Sequence, residues 1–279
     1  MSKAFLKRKC LLIPALCTLC LLLTLPMGCS PTTIPSEYAD NPVSQRETLT
    51  QISVIGALLE GIYDGVMPFE TLHKYGDFGI GTFTGLDGEM IGFNGNFYQI
   101  KADGIASPVA DSMKTPFACV TFFDVDQEAQ LPEGLDYEQL KEFLDGILPS
   151  TNIFHAIEIR GSFSYMKTRS VPAQEKPYPP LVEVTQNQPT FEFSNVEGTI
   201  VGFRSPSYVE EITVPGYHLH FLTKEEGAGG HVLELRTGKA IAYLDYTQEF
   251  LMILPGEDSA FYRASLSQDR QADLEKAEK

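Results

Sequence analysis

FGIGTFTGLDGEMIGFNGNFYQI, residues 78–100, sets the fold class. Short apolar and aromatic runs are broken by Asp87-Gly88 and Asn94-Gly95. Both dipeptides suit type I′ turns, which need positive φ at their two central residues. The stretch therefore predicts a meander of short antiparallel strands. Downstream, the apolar run Phe117 to Phe123 adds another strand. Upstream, Leu49, Ile52, Ile55, Leu58 or Leu59, and Ile62 recur at helical spacing, and Gly65 ends the pattern. Pro68 to Tyr75 reads as a short helix stopped by Gly76. Asp136 to Leu148 reads as a helix, with Asp136 as N-cap and Gln139 three residues on.

A long strand is expected from Ile153 to about Arg169. Ile153, Ile157, Ile159, Phe163 and Tyr165 share one parity, which carries Arg169 toward an interior where it needs a partner. After a proline-rich loop come strands at Thr190 to Ser194, Gly198 to Arg204, Gly216 to Leu222, His231 to Leu235 and Ala240 to Leu254. Residues 257–279 are charged and helical in pattern. This order indicates an α+β protein with mixed or antiparallel sheets.

The N-terminus is set apart. Lys3, Lys7, Arg8 and Lys9 precede an uncharged apolar run from Cys10 to Leu25, the pattern of a signal peptide over residues 1–29. Pro26-Met27-Gly28-Cys29 resembles a bacterial lipobox, although Pro26 stands where leucine is usual. Either Cys29 carries a lipid or the leader is simply cut nearby. Residues 30–45, with three prolines, read as a flexible linker. The expected location is extracellular, or on a membrane through that lipid.

The 279-residue chain has formal charge −16, and the leader contains four basic and no acidic residues, so its removal leaves −20. Such a surface repels phosphate backbones, which argues against a nucleic-acid partner. Cys119 is the one cysteine in the body, in an apolar strand, so no internal disulfide can form.

Three of the five histidines fall within 14 residues. In YHLHF, strand geometry sends His218 and His220 to one face. The turn KEEGAGG brings His231 back across from His220. Three imidazoles with an open fourth position is the catalytic zinc pattern. His73 and His155 lack such company and read as structural. Glu225 or Glu226 follows His-x-His at cupin spacing, but the cupin glycines and the distant third histidine are missing. His-Glu-x-x-His, Gly-x-Ser-x-Gly and phosphate-loop motifs are absent.

At these residues the chain resembles the α-acetolactate decarboxylase family. The likeness runs through GIYDG (61–65), residues 78–100, FHAIEIRGSF (154–163), KTRSVPAQEKPYPPL (167–181), PGYHLHFL (215–222) and GGHVLEL (229–235). It implies one catalytic domain over residues 46–279, an α/β two-layer arrangement of two closely associated subdomains with a boundary near 150–190, and a homodimer. It implies decarboxylation of 2-acetolactate to acetoin and CO₂ through a metal-stabilised enediolate. The implied metal is Zn²⁺ on His218, His220 and His231. The implied active-site arginine is Arg169, with Arg160 the weaker match; it would orient the substrate carboxylate or an adjacent oxygen. Glu89 is the implied acid, Thr82 lines the pocket, and the tail supplies Glu278 or Glu275. Two other readings are weighed: a non-catalytic exported zinc-binding lipoprotein and a cupin-like metal oxygenase.

Overall fold

The computed structural model describes residues 47–266 and 270–278. The leader (1–29), Cys29 and the linker (30–45) lie outside the described residues. The described part is mostly β-sheet with few helices, in mixed and antiparallel sheets.

The first sheet has seven strands: β1 (Thr48–Ile52), β3 (Phe78–Thr82), β4 (Glu89–Phe93), β5 (Asn96–Ile100), β6 (Ala106–Pro108), β8 (Ala118–Thr121) and β14 (Glu249–Ile253). Their order is β14-β1-β8-β3-β4-β5-β6. β1 and β14 run parallel, and the other pairs are antiparallel. The second sheet contains β9 (Gln127–Gln130), β10 (Phe154–Arg169), β11 (Thr190–Ser205), β12 (Gly216–Thr223) and β13 (Gly229–Thr247). β10 pairs with β13 as well as β11, so pairings run from β10 through β11 and β12 to β13 and back. β2 (Met67–Pro68) and β7 (Lys114–Thr115) make a small separate ladder.

The sheets face each other across one core. Ile80, Ile91 and Cys119 of the first sheet meet Ala156, Val201, Phe203 and Leu222 of the second. Helix α1 (Ile55–Leu59) closes one side of this core. Helix α2 (Phe69–Leu72) packs on the outer face of the first sheet, against Phe83, Met90 and Phe97. Helix α3 (Tyr137–Ile147) buries Leu140 and Leu144 on the outer face of the second, against Ile157, Leu219 and Phe221. Its start has the expected capping box, with the Asp136 side chain accepting from the Gln139 amide.

Three expectations need correction. The helical spacing beginning at Leu49 does not make a helix there, since Thr48–Ile52 form a strand and only Ile55–Leu59 are helical. All five residues of β1 are buried between β8 and β14. A strand covered on both faces loses its alternation, so a three-residue spacing of leucine and isoleucine can arise in it. Asn94-Gly95 is a two-residue turn as read, with φ of 51° and 75° and Phe93 paired to Asn96. Asp87-Gly88 is not: the connection runs from Thr82 to Glu89 through a short 3₁₀ turn at Thr84–Leu86. Finally, β10 slips register against β13 between Gly161 and Phe163, Phe163 and Tyr165, and Lys167 and Thr168. Ile157, Ile159 and Phe163 face α3, whereas Arg169 pairs with His231 and lines the cavity between the sheets. Strict parity would have sent Arg169 to the α3 side; the bulges carry it to the other face.

Candidate active site

β12 alternates, so Leu219 and Phe221 enter the α3 core and His218 and His220 point between the sheets. His231, at the start of β13, sits opposite His220. On its other side it pairs with Arg169. Gly230 makes this crowding possible: its φ is 138°, and a Cβ there would lie 2.3 Å from the Arg169 carbonyl oxygen. From the first sheet, the paired residues Thr82 and Glu89 face the same space. The Thr82 hydroxyl donates to the Gly88 carbonyl at 2.7 Å and holds the connecting loop against its strand. The last contributor is Glu278, at the end of helix α4 (Gln271–Ala277), whose Leu274 and Ala277 are buried.

One ring nitrogen of each histidine lies within 4.8 Å of the others. His218 Nε2 and His220 Nε2 are 3.3 Å apart. Two nitrogens bound tetrahedrally at about 2.0–2.1 Å from one zinc ion would be separated by about 3.4 Å. His220 Nδ1 sits 2.9 Å from the Met90 carbonyl oxygen, so Nδ1 carries the hydrogen and Nε2 presents its lone pair toward the other rings. Glu89 Oε2 lies 3.6 Å from His220 Nε2. Glu278 Oε2 lies 3.7 Å from His218 Nε2 and 3.9 Å from His231 Nε2. The donor set and its spacing fit one divalent cation.

The electrostatics agree. Burial, then the Arg169 charge, holds His218 down to about 3. Burial likewise holds His220 and His231 well below the usual histidine range. All three rings are therefore neutral at pH 7, the form that binds metal. Burial pushes Glu89 up to about 7; Arg169 opposes this and Glu278 adds to it. Glu278 is also raised by burial, with Arg169 opposing. Arg169 is 4% exposed. It donates to Gln188 Oε1 at 2.9 Å, and its Nε has no hydrogen-bond partner. Ile55, Leu58, Leu86, Phe117, Val171 and Leu181 form the apolar wall of the cavity.

The structure thus brings together Thr82, Glu89, Arg169, His218, His220, His231 and Glu278. Glu275 is exposed on α4. Arg160 lies elsewhere: it pairs with buried Glu158, rests between Phe93 and Tyr243, and borders a separate groove with Lys224 and Lys239. His73 sits edge-on to Phe97. His155 is buried against Tyr246 on the α3 face. Gln188 escaped the sequence reading. Its one signal is topological, since it stands two residues before Thr190, the cross-strand partner of Arg169.

A sequence model described as alpha-acetolactate decarboxylase matches residues 49–268. The chain belongs to the alpha-acetolactate decarboxylase family. Members of this family are carboxy-lyases. An alpha-acetolactate decarboxylase of Methanosarcina mazei is 54% identical over 233 residues, covering 84% of this chain and 81% of the relative. One from Bacillus subtilis is 42% identical, covering 86% of this chain and 92% of the relative. The crystal structure of the B. subtilis 168 enzyme superposes with a TM-score of 0.80 at 41% identity, covering 83% of this chain and 99% of that one. The family match stops at residue 268, so α4 and Glu278 lie beyond it.

Proposed function

We propose that this protein decarboxylates 2-acetolactate to acetoin and CO₂ and uses zinc to do so. The observation that carries this reading is the gathering of three neutral histidines, a buried arginine and a carboxyl raised to about 7 around one cavity. His218, His220 and His231 would hold the metal. A divalent cation held there would supply positive charge where negative charge develops, on the oxygen of the ketone.

The chain's own groups do the rest. Arg169 binds and orients the substrate carboxylate through its planar fork. Loss of CO₂ leaves an electron pair that the neighbouring ketone accepts, giving an enediolate. Glu89, part protonated near neutrality, delivers a proton to the enediolate carbon. Glu278 assists from beside His218 and His231. The apolar wall shelters the methyl groups and keeps water from the departing carboxylate.

The wider reading has four parts: two closely associated subdomains dividing near 150–190, a homodimer, an export leader over residues 1–29, and a lipid on Cys29 or a cut nearby. It places the enzyme outside the cell or on a membrane. Mass spectrometry of the mature N-terminus checks the leader. One assay tests the activity: 2-acetolactate is added and acetoin followed, with and without a chelator. Acetoin that disappears with the metal and returns with zinc supports the reading. Zinc binding without acetoin would leave a zinc-binding lipoprotein, and oxygen uptake with iron would favour a cupin-like oxygenase.

A further inference from the structure

Arg169 is almost fully buried, and its charge acts on every titratable group of the site: all three histidines, Glu89 and Glu278. A buried guanidinium usually takes a carboxylate partner. Here, among the described residues, the guanidinium makes a hydrogen bond to the neutral amide oxygen of Gln188 at 2.9 Å and no ion pair. Gln188 is half-buried and held by its surroundings. Before it, the Asn187 amide donates to the Val184 carbonyl at the end of the short helix Leu181–Thr185. After it, the Pro189 carbonyl accepts from the Ser170 amide at 3.3 Å, so the loop is tied to the residue following Arg169.

We propose that Gln188 is a positioning residue for the decarboxylation, fixing the Arg169 fork through a neutral acceptor and adding no carboxylate that would pair with its charge in place of an anionic substrate. The choice of amide over carboxylate matters. A glutamate in the same place would orient the fork equally well, but it would pair with the charge and leave less for the substrate. Beside a guanidinium that is only 4% exposed, such a competing charge acts strongly. The proposal rests on the reading that Arg169 meets the substrate carboxylate.

The test compares zinc-loaded wild type with Gln188→Glu and Gln188→Met. Three quantities are read: kcat and KM for 2-acetolactate, and the inhibition constant of acetoin, which lacks the carboxylate. For Gln188→Glu, KM should rise by about tenfold or more while acetoin inhibition stays within about twofold. For Gln188→Met, which keeps the bulk but loses the acceptor, kcat/KM should fall by about tenfold, again with acetoin inhibition nearly unchanged. The Met variant keeps the test open if the buried glutamate impairs folding. Unchanged kinetics in both variants would overturn the proposal. So would equal losses for acid and neutral product, which would mark Gln188 as a packing residue. Failure of wild type to make acetoin would instead sink the functional reading, and the two failures are distinct.

Discussion

The second sheet carries buried histidines on both faces, and the two faces treat them differently. On the α3 side, His155 has no exposed surface and stands edge-on to Tyr246, with ring centroids 5.4 Å apart. Burial, then Arg204, lowers it to about 4. Between the sheets, His218, His220 and His231 are lowered by the same burial. They differ in convergence: their nitrogens meet, with Glu89, Glu278 and Arg169 around them. Desolvation alone yields a neutral imidazole that packs like an aromatic ring. Desolvation with convergence yields a ligand set. A lowered histidine pKa by itself therefore does not mark a site.

Substitution on the two faces should break this comparison if it is false. His220→Ala should remove bound metal and cut acetoin formation on the order of a thousandfold. His155→Phe should keep the metal stoichiometry and lower turnover by less than about threefold. Metal analysis beside the acetoin assay reads both, and equal losses would erase the distinction. Next in size, Glu89→Gln should retain the metal yet lower kcat by about a hundredfold or more, the range of a lost general acid. Near-normal turnover would take the proton delivery away from Glu89. Truncation before Leu274 removes the Leu274 and Ala277 anchors together with Glu278. It should lower kcat/KM by about ten- to a hundredfold, less than loss of a histidine. An unaffected truncated enzyme would make α4 mere surface helix.

The smallest effect belongs to a buried titratable group outside the cavity. Burial pushes Asp245 up to about 8, against a hydrogen bond from the Asp124 amide, and Asp126 and Glu47 add to the push. An unfolded aspartate has a pKa of about 3.9, so the folded chain binds this proton more tightly. Its contribution to stability is greatest at low pH and is lost as pH rises through about 8. Asp245→Asn should therefore raise the melting temperature at pH 9 by on the order of ten degrees, at roughly 2–4 °C per kcal/mol for a chain of this size. The gain should shrink toward pH 4, and acetoin formation at pH 7 should stay near wild type. A gain that persists undiminished at pH 4 would show that the carboxyl is not the cause.

The sequence made the histidine cluster legible because it depends on local rules. Period-2 alternation puts His218 and His220 together, and a glycine-rich turn returns His231. Capping chemistry likewise placed α3 at the right residues. What failed depends on distant partners. β1 is a strand because β8 and β14 cover it from residues far along the chain, and no local spacing reports that. Arg169 reaches the site through register slips in β10, which the residues of that strand do not announce. Gln188 is invisible for the same reason, since its meaning comes from the strand opposite. Glu278 could be narrowed from the tail but not separated from Glu275 until α4 docked with Leu274 and Ala277 inward.

Stripping the protein of metal and titrating zinc back, while acetoin formation from 2-acetolactate is followed, decides whether the three histidines hold a catalytic ion. The stripped protein should show no turnover, recovery should saturate at one zinc per chain, and His220→Ala should not recover. Full acetoin formation in the stripped protein, or recovery that survives loss of His220, would contradict a catalytic ion on these histidines.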